Sequence, residues 1–281
     1  MVSRFDFTLG SVEAVVVGRA LGVDVRVFPL RISHTTLDPV RFARLAVRVH
    51  DDLEDRKLSV RGELDADVRR AFELLGDHRV SVTASGSDAH AGDLAVRAVT
   101  DGAQALVIRQ APGADPLRFS LIPDEDLVPR VAGSLAPVDA APGGPLSVTR
   151  QADERPRSAL AARRQAEEEF DEEETEAFGS LQVTSVVRSR RPSPVRTVSE
   201  EERLEELLAA PRRGGGYFTA NGIGRHGEHR SATPVTWLDT EDGRFLVSTT
   251  TDPAGAVTAR YAPAGFPAVA EAVRDMIASV Y

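Results

Sequence analysis

A chain of 281 residues with 42% hydrophobic content can bury a sizeable core, as one large domain or two small ones. Cysteine is absent, which excludes disulfides, thiolate chemistry and Cys-based zinc sites and suits a reducing cytoplasm. With 43 acidic against 34 basic residues the formal net charge is -9, which opposes nonspecific association with nucleic acid or anionic lipid.

The start, Met1-Val-Ser-Arg-Phe-Asp-Phe, has no apolar run behind a positive cluster, so no signal peptide is expected. No apolar run approaches the roughly 20 residues of a membrane span, so no membrane insertion is expected. Phe5, Phe7 and Leu9 alternate with Arg4, Asp6 and Thr8 as in a half-buried strand. Residues 12–21 then carry apolar side chains at near-helical spacing, closed by Gly22. Val25, Val27 and Leu30 read as a second strand. Asp38-Pro39 supplies an N-cap and a first-turn proline for a helix over 40–57, with Phe42, Leu45, Val49 and Leu53 on one face. A third helix is expected over 65–75.

Residues 80–135 read as a module of strands, turns and a closing helix. Thr100-Asp101-Gly102 and Pro112-Gly113 mark turns, and Pro123 with Leu127 and Val131 opens the helix. Residues 136–145 are Ala, Pro, Gly and Asp with few others, a linker by composition. Leu146 and Val148 look like a counterpart of the first strand. A charged helix is plausible over 158–178, acidic from Glu167 to Glu176, and 188–196 is basic and proline-broken. Together they form a charged, flexible insert at about 165–198. Ser199 and Glu202 fit a capping box for a helix reaching Ala210.

Strand residues 217–220 lead to a Gly/His/Arg loop, after which Trp237 and Leu238, the turn Asp242-Gly243, and Phe245 and Val247 make a hairpin. A further strand spans 257–261, and 267–280 place Val269, Val273, Met276, Ile277 and Val280 on one helical stripe. This order repeats that of 80–135. Val82-Thr83-Ala84-Ser85-Gly86 matches Phe218-Thr219-Ala220-Asn221-Gly222, and His90 answers His226. The chain therefore reads as two similar halves, 1–135 and 146–281, in an α+β fold with a mostly antiparallel sheet.

Catalytic signals are weak throughout. Gly222-Ile-Gly224-Arg-His-Gly227 spells GxGxxG, but a dinucleotide fingerprint needs a helix opening at its third glycine, and here another strand follows. His226 and His229 flank Glu228 with no second ligand cluster. Asp51-Asp52 and Asp124-Glu125-Asp126 suit a helix surface and a helix start. Arg212-Arg213 beside Tyr217 and Phe218 is the one basic and aromatic mixture, and its alternation favours sheet packing over nucleic-acid stacking. No enzyme activity, cofactor, metal or nucleic-acid partner is expected.

The wording Arg213-Gly-Gly-Gly-Tyr-Phe-Thr-Ala-Asn-Gly, followed by Pro234-Val-Thr-Trp-Leu-Asp-Thr-Glu-Asp-Gly-Arg-Phe-Leu-Val, resembles the EspG family of ESX (type VII) secretion-associated chaperones, as does Phe5-Asp-Phe-Thr-Leu ahead of an apolar helix. The resemblance implies a mostly antiparallel sheet with helices, its halves related by a pseudo-twofold. It implies a cytoplasmic chaperone that binds the helical tip of the PPE subunit in PE/PPE heterodimers, or a similar helical secretion substrate, and brings it to its secretion machine. In such proteins the loop between the second and third strands of the first half and helices of the second contribute to the cargo surface. By position that loop is Ser85, Gly86, Ser87, Asp88, Ala89, His90, Ala91, Gly92 and Asp93. A homodimer is left open. The alternatives are a small-ligand or nucleotide site at the glycine loop 222–227, and a regulatory scaffold recruiting partners through its charged middle.

Overall fold

The computed structural model describes residues 4–32, 38–150, 200–224, 226–253 and 255–281. Its elements run in the order β1 (Phe5–Leu9), α1 (Ser11–Leu21), α2 (Pro39–Asp55), β2 (Ser59–Val60), β3 (Glu63–Leu64), α3 (Ala66–Gly76), β4 (Val80–Asp88), β5 (Gly92–Thr100), β6 (Gln104–Gln110) and β7 (Leu117–Pro123). A 3-10 turn (Asp124–Asp126) opens α4 (Leu127–Ala132), followed by β8 (Leu146–Arg150), α5 (Glu200–Ala209), β9 (Arg212–Ile223), β10 (His229–Ser231), β11 (Val235–Thr240), β12 (Gly243–Thr251), β13 (Val257–Pro263) and α6 (Phe266–Ala278). The expected charged helix over 158–178, the insert at 165–198 and the Ser199 cap lie outside the described residues.

The expected α+β class holds: among the described residues, antiparallel sheet is flanked by helices. The chain divides into two compact units. One comprises residues up to Gly143 with Pro211–Val247 and Pro263–Tyr281; the other comprises Gly144–Ala210 and Ser248–Ala262. In the first, strands follow the order β1-β7-β6-β5-β4-β9-β11-β12, with β10 on β9. In the second, β13 pairs with β8, from Val257↔Arg150 to Tyr261↔Leu146, and α5 buries Leu207. At the middle of the first unit, β4 and β9 lie antiparallel with Thr83 opposite Thr219. These two threonines are aligned with each other in the sequence match, as are their strands.

Strand alternation sorts the first unit's apolar side chains onto two faces. Val82, Ala84, Val96 and Val107 pack with Phe218, Ala220 and the α4 and α6 residues Val131, Val269, Val273 and Ile277. Val99, Leu106, Ile108 and Phe119 pack with Val15, Val49, Leu53, Val68 and Phe72 from α1, α2 and α3. Phe119 stacks between Phe7 and Phe72, at centroid distances of 4.8 and 5.6 Å. Each aromatic contact adds about 0.5–1.5 kcal/mol beyond the area buried. The expected helices begin where their caps stand. The Asp38 carboxylate accepts the Arg41 N–H at 2.9 Å with Pro39 in the first turn, and Gly22 closes α1 at φ 71°. Only half of the expected α2 face is deep: Val49 and Leu53 are buried, whereas Phe42 is half-buried beneath the Arg19 guanidinium, 4.2 Å from its ring centroid.

Val25 to Leu30 do not form the expected strand. Val25 instead fills a notch at Gly18, where an added Cβ would meet the Val23 carbonyl at 2.6 Å and Val25 Cγ1 at 2.9 Å. The main chain just beyond is held by a side chain: Gln110 Nε2 donates to the Arg31 carbonyl at 2.8 Å, and its Oε1 accepts the Arg31 N–H at 2.6 Å. One buried amide thus satisfies both backbone groups that a ladder would have used.

The stretch 136–141, part of the segment that reads as a linker, runs against β12. The Arg244 N–H donates to the Asp139 carbonyl at 2.8 Å, and the Ala141 N–H donates back to the Arg244 carbonyl at 3.2 Å. Gly243 makes this approach feasible, because a Cβ there would meet Ala141 N and Cα at 2.7 Å.

Candidate functional site

The nine candidate contact residues form a tight hairpin end and not an extended loop. Ser85, Gly86, Ser87 and Asp88 continue β4, Ala89, His90 and Ala91 make the turn, and Gly92 and Asp93 begin β5, paired through Asp88↔Gly92. Two local features close the turn. The Asp88 carboxylate accepts the N–H groups of His90 and Ala91 at 2.8 and 2.7 Å, and Gly92 takes φ 78°. Hydrogen bonds from the Ala91 amide first, and from His90, hold the Asp88 carboxyl below its usual pKa. The other flank of β4 is also tied down: Ala89 N–H donates to the Arg213 carbonyl at 2.7 Å, and Asp88 faces Gly214. Asp93 pairs with Arg31 at 2.8 Å, both exposed enough that the bridge contributes little.

Behind the hairpin lies an indole on a glycine floor. Gly86 faces Gly216 across β4 and β9, and Gly216 faces Trp237 across β9 and β11. A Cβ on Gly86 would meet Trp237 Cζ2 at 2.7 Å, and one on Gly216 would meet the same atom at 2.5 Å. The missing side chains leave room for the ring to lie flat over both strands, tilted against Phe218 at 4.9 Å. Trp237 is 3% exposed, Phe218 is fully buried and Phe245 is 5% exposed, so the aromatics of this region pack in the sheet as their alternation implies.

On that face, just beyond the end of α4, an open cavity of about 560 Å³ runs from the hairpin to Trp237. Ser87, Asp88, Ala91, Gly92 and Asp93 of the hairpin line it, with Leu94, Val96, Leu135 and the arginines Arg109 and Arg118. Asp239, also on its wall, is bound bidentately by Arg244, Nε to Oδ1 at 2.7 Å and Nη2 to Oδ2 at 2.8 Å, with both side chains under 5% exposed. The cavity and Arg109 were not expected from the sequence. The available signal was alternation: Arg109 follows Ala105 and Val107 on the face of β6 that is otherwise apolar.

The glycine loop does not form a phosphate cradle. After Gly227 comes the strand β10 where a dinucleotide fingerprint requires a helix N-terminus. Glu228 fills the loop itself: its carboxylate accepts the His226 N–H at 3.0 Å and pairs with Arg230 at 2.5 Å, while its carbonyl accepts the Gly224 N–H at 2.8 Å. Each glycine has a local reason. A side chain on Gly222 would strike the Val280 carbonyl, one on Gly224 would strike the Glu228 carboxylate, and Gly227 takes φ 81°. Arg225 lies outside the described residues. His226 and His229 gain no further ligand, since among the described residues no group of three or more His, Cys, Asp or Glu could hold a metal ion.

The EspG family model matches residues 11–275. The chain belongs to the EspG family. A solved structure of the type VII secretion system chaperone EspG5 from Mycobacterium tuberculosis, in complex with a PE25-PPE41 dimer, superimposes with a TM-score of 0.62 at 12% identity. The match covers 99% of this chain and 97% of that one, so this EspG-family chain shares its fold from end to end. No curated protein matches the sequence. Among the described residues no helix is long and apolar enough to cross a membrane.

Proposed function

We propose that this EspG-family protein is a cytoplasmic, non-enzymatic chaperone of a type VII (ESX) secretion system, binding a PE/PPE-type helical heterodimer before export. The observation that carries the proposal is the family match over residues 11–275, supported by fold likeness over nearly the full chain to a chaperone solved with such a dimer. The contact surface in this reading is the hairpin end, residues 85–93, with the cavity beside it. A firm hairpin and a concave apolar wall offer area and anchors, which protein recognition needs, and no reactive group. The halves 1–135 and 146–281, joined by 136–145, are read as pseudo-twofold relatives with Thr83 and Thr219 at the axis, a reading supported by their direct pairing.

Coexpression with each PE/PPE pair of the same genome, followed by size-exclusion chromatography with light scattering, tests this. The expected species contains one chaperone, one PE and one PPE chain, and the protein run alone reports whether it forms a homodimer. Elution apart from every such pair contradicts the proposal.

A further inference from the structure

Helix α2 carries its charges in the order opposite to the one its own dipole favours. The amides at a helix N-terminus favour acidic side chains, and the carbonyls at its C-terminus favour basic ones. The caps comply: Asp38 accepts the Arg41 N–H, and Arg56 turns to Glu13 and the Thr8 carbonyl. Inside the helix, Arg41, Arg44 and Arg48 come first and Asp51, Asp52, Glu54 and Asp55 last, with no acid in the first turn and no base in the last. Arg44 with Arg48, and Asp51 with Asp55, are also like charges four residues apart, which weakens a helix further. The inner stripe, Phe42, Leu45, Ala46, Val49 and Leu53, packs on the core. The opposite stripe presents Val40, Ala43, Arg44, Val47, Asp51 and Asp55, all exposed, the two valines at 63% and 61%. Arg44, Arg48, Asp51 and Asp55 make no ion pair with another described residue. One exposed valine is ordinary, but a solvated face has no use for two of them set among charges sorted against the dipole.

Reversed, this order is its own complement. Against a second copy of α2, antiparallel and related by a twofold axis passing between Val47 and Arg48, Arg44 of each copy comes level with Asp51 of the other. Asp55 comes level with Val40 of the other copy, one turn from that copy's Arg44. The two Val47 side chains meet at the axis, and Ala43 beside them is small enough to let the helices approach. The opposed dipoles then place each basic half on an acidic half. The helix has 17 residues and is about 25 Å long, so these rows span most of its face. We propose that the outward face of α2 is a self-association surface, on which two copies of this chain pair as an isologous, antiparallel helix dimer. A uniformly basic or uniformly acidic partner would match one half of the face and repel the other, whereas a second copy matches both. A single helix pair buries less than the roughly 1,200 Å² of stable complexes, so the dimer is weak and is favoured by high concentration and low salt.

The test is sedimentation velocity on the full chain without cargo, from about 10 μM to about 1 mM, in about 20 mM and about 500 mM salt. The wild-type protein should pass from monomer to dimer as concentration rises, and high salt should reverse this. Two double variants sort the charges: Arg44→Glu with Arg48→Glu makes the face acidic throughout, and Asp51→Arg with Asp55→Arg makes it basic throughout. Each brings one half of the helix into accord with its dipole, so both should fold, as a melting curve checks. Each alone should dimerise about 10-fold or more weakly than wild type, because every cross-copy pair becomes repulsive. Mixed together they should form a heterodimer at least as tight as the wild-type dimer. Val47→Cys gives an independent reading: the chain has no native cysteine, so mild oxidation should link two copies at position 47 faster than it links Ile223→Cys, an exposed site on β9. A protein that stays monomeric throughout at low salt overturns the proposal. So does a dimer that survives both charge reversals, or a mixture of the two variants that does not associate. None of these outcomes bears on the chaperone reading, since no cargo enters the experiment.

Discussion

Replacing Asp239 with alanine is expected to destabilise the protein by about 3–5 kcal/mol, because it leaves the Arg244 guanidinium buried without its counter-ion. The pair is 3% and 4% exposed and bidentate, so neither charge can turn to water for compensation. Arg244 is also a point of attachment. Its Nη2 donates to the Ala136 carbonyl at 2.8 Å, and its main chain bonds Asp139, Ala141 and Ala264. Urea denaturation should register the loss, and heating should lower the midpoint by very roughly 6–20 °C for a chain of this size. The double change Asp239→Leu with Arg244→Met should recover most of it, since replacing a whole buried ion pair by apolar groups is often neutral. Arg4→Ala provides the contrast: its pair with Asp126 has the arginine 64% exposed, and its loss should cost under about 1 kcal/mol.

The second large effect is expected at Gly216. Gly216→Ala puts a methyl group onto the Ser85 carbonyl and 2.5 Å from Trp237 Cζ2, and neither neighbour is the free end of a flexible chain. Overpacking of this kind should cost about 3 kcal/mol. Relief must come from Trp237, which borders the cavity, so the change should also push the indole into that space. Trp237 is the sole tryptophan of the chain, so its fluorescence reports both the displaced ring and the lowered unfolding midpoint. Adding Trp237→Leu should give a double variant less destabilised than the sum of the two single changes, because the residues share one contact.

Why one part of this molecule was readable in advance and another was not follows from how far apart the deciding residues lie. The hairpin of β11 and β12 is announced locally by alternation around Asp242-Gly243, and Thr240↔Gly243 is where the strands meet. Helices α1, α2 and α3 carry their stop or start signals at Gly22, Asp38 and Asp65. Val25, Val27 and Leu30 carry an equally good local strand signal, yet Gln110, about 80 residues away, takes the hydrogen bonds of the adjoining main chain. The site follows the same rule. Ser85 to Asp93 were picked out by position, but their compaction depends on Asp88 and Gly92 acting together, and the glycine floor depends on a register that sets Gly86, Gly216 and Trp237 in one row. No local pattern links positions 86, 216 and 237. Arg109 differs, since an arginine on the apolar face of β6 is visible once the alternation is followed residue by residue.

The claim that the hairpin end is the cargo surface is tested most directly by hydrogen exchange on the free protein and on its complex with a PE/PPE dimer. The turn amides of Ala89, His90 and Ala91 bond only to the Arg213 carbonyl and the Asp88 carboxylate, at an exposed edge, so they should exchange readily in the free protein. In the complex, protection is expected over residues 85–93 and over 134–136 at the cavity rim. Unchanged exchange there, with protection confined to other parts of the chain, would contradict it.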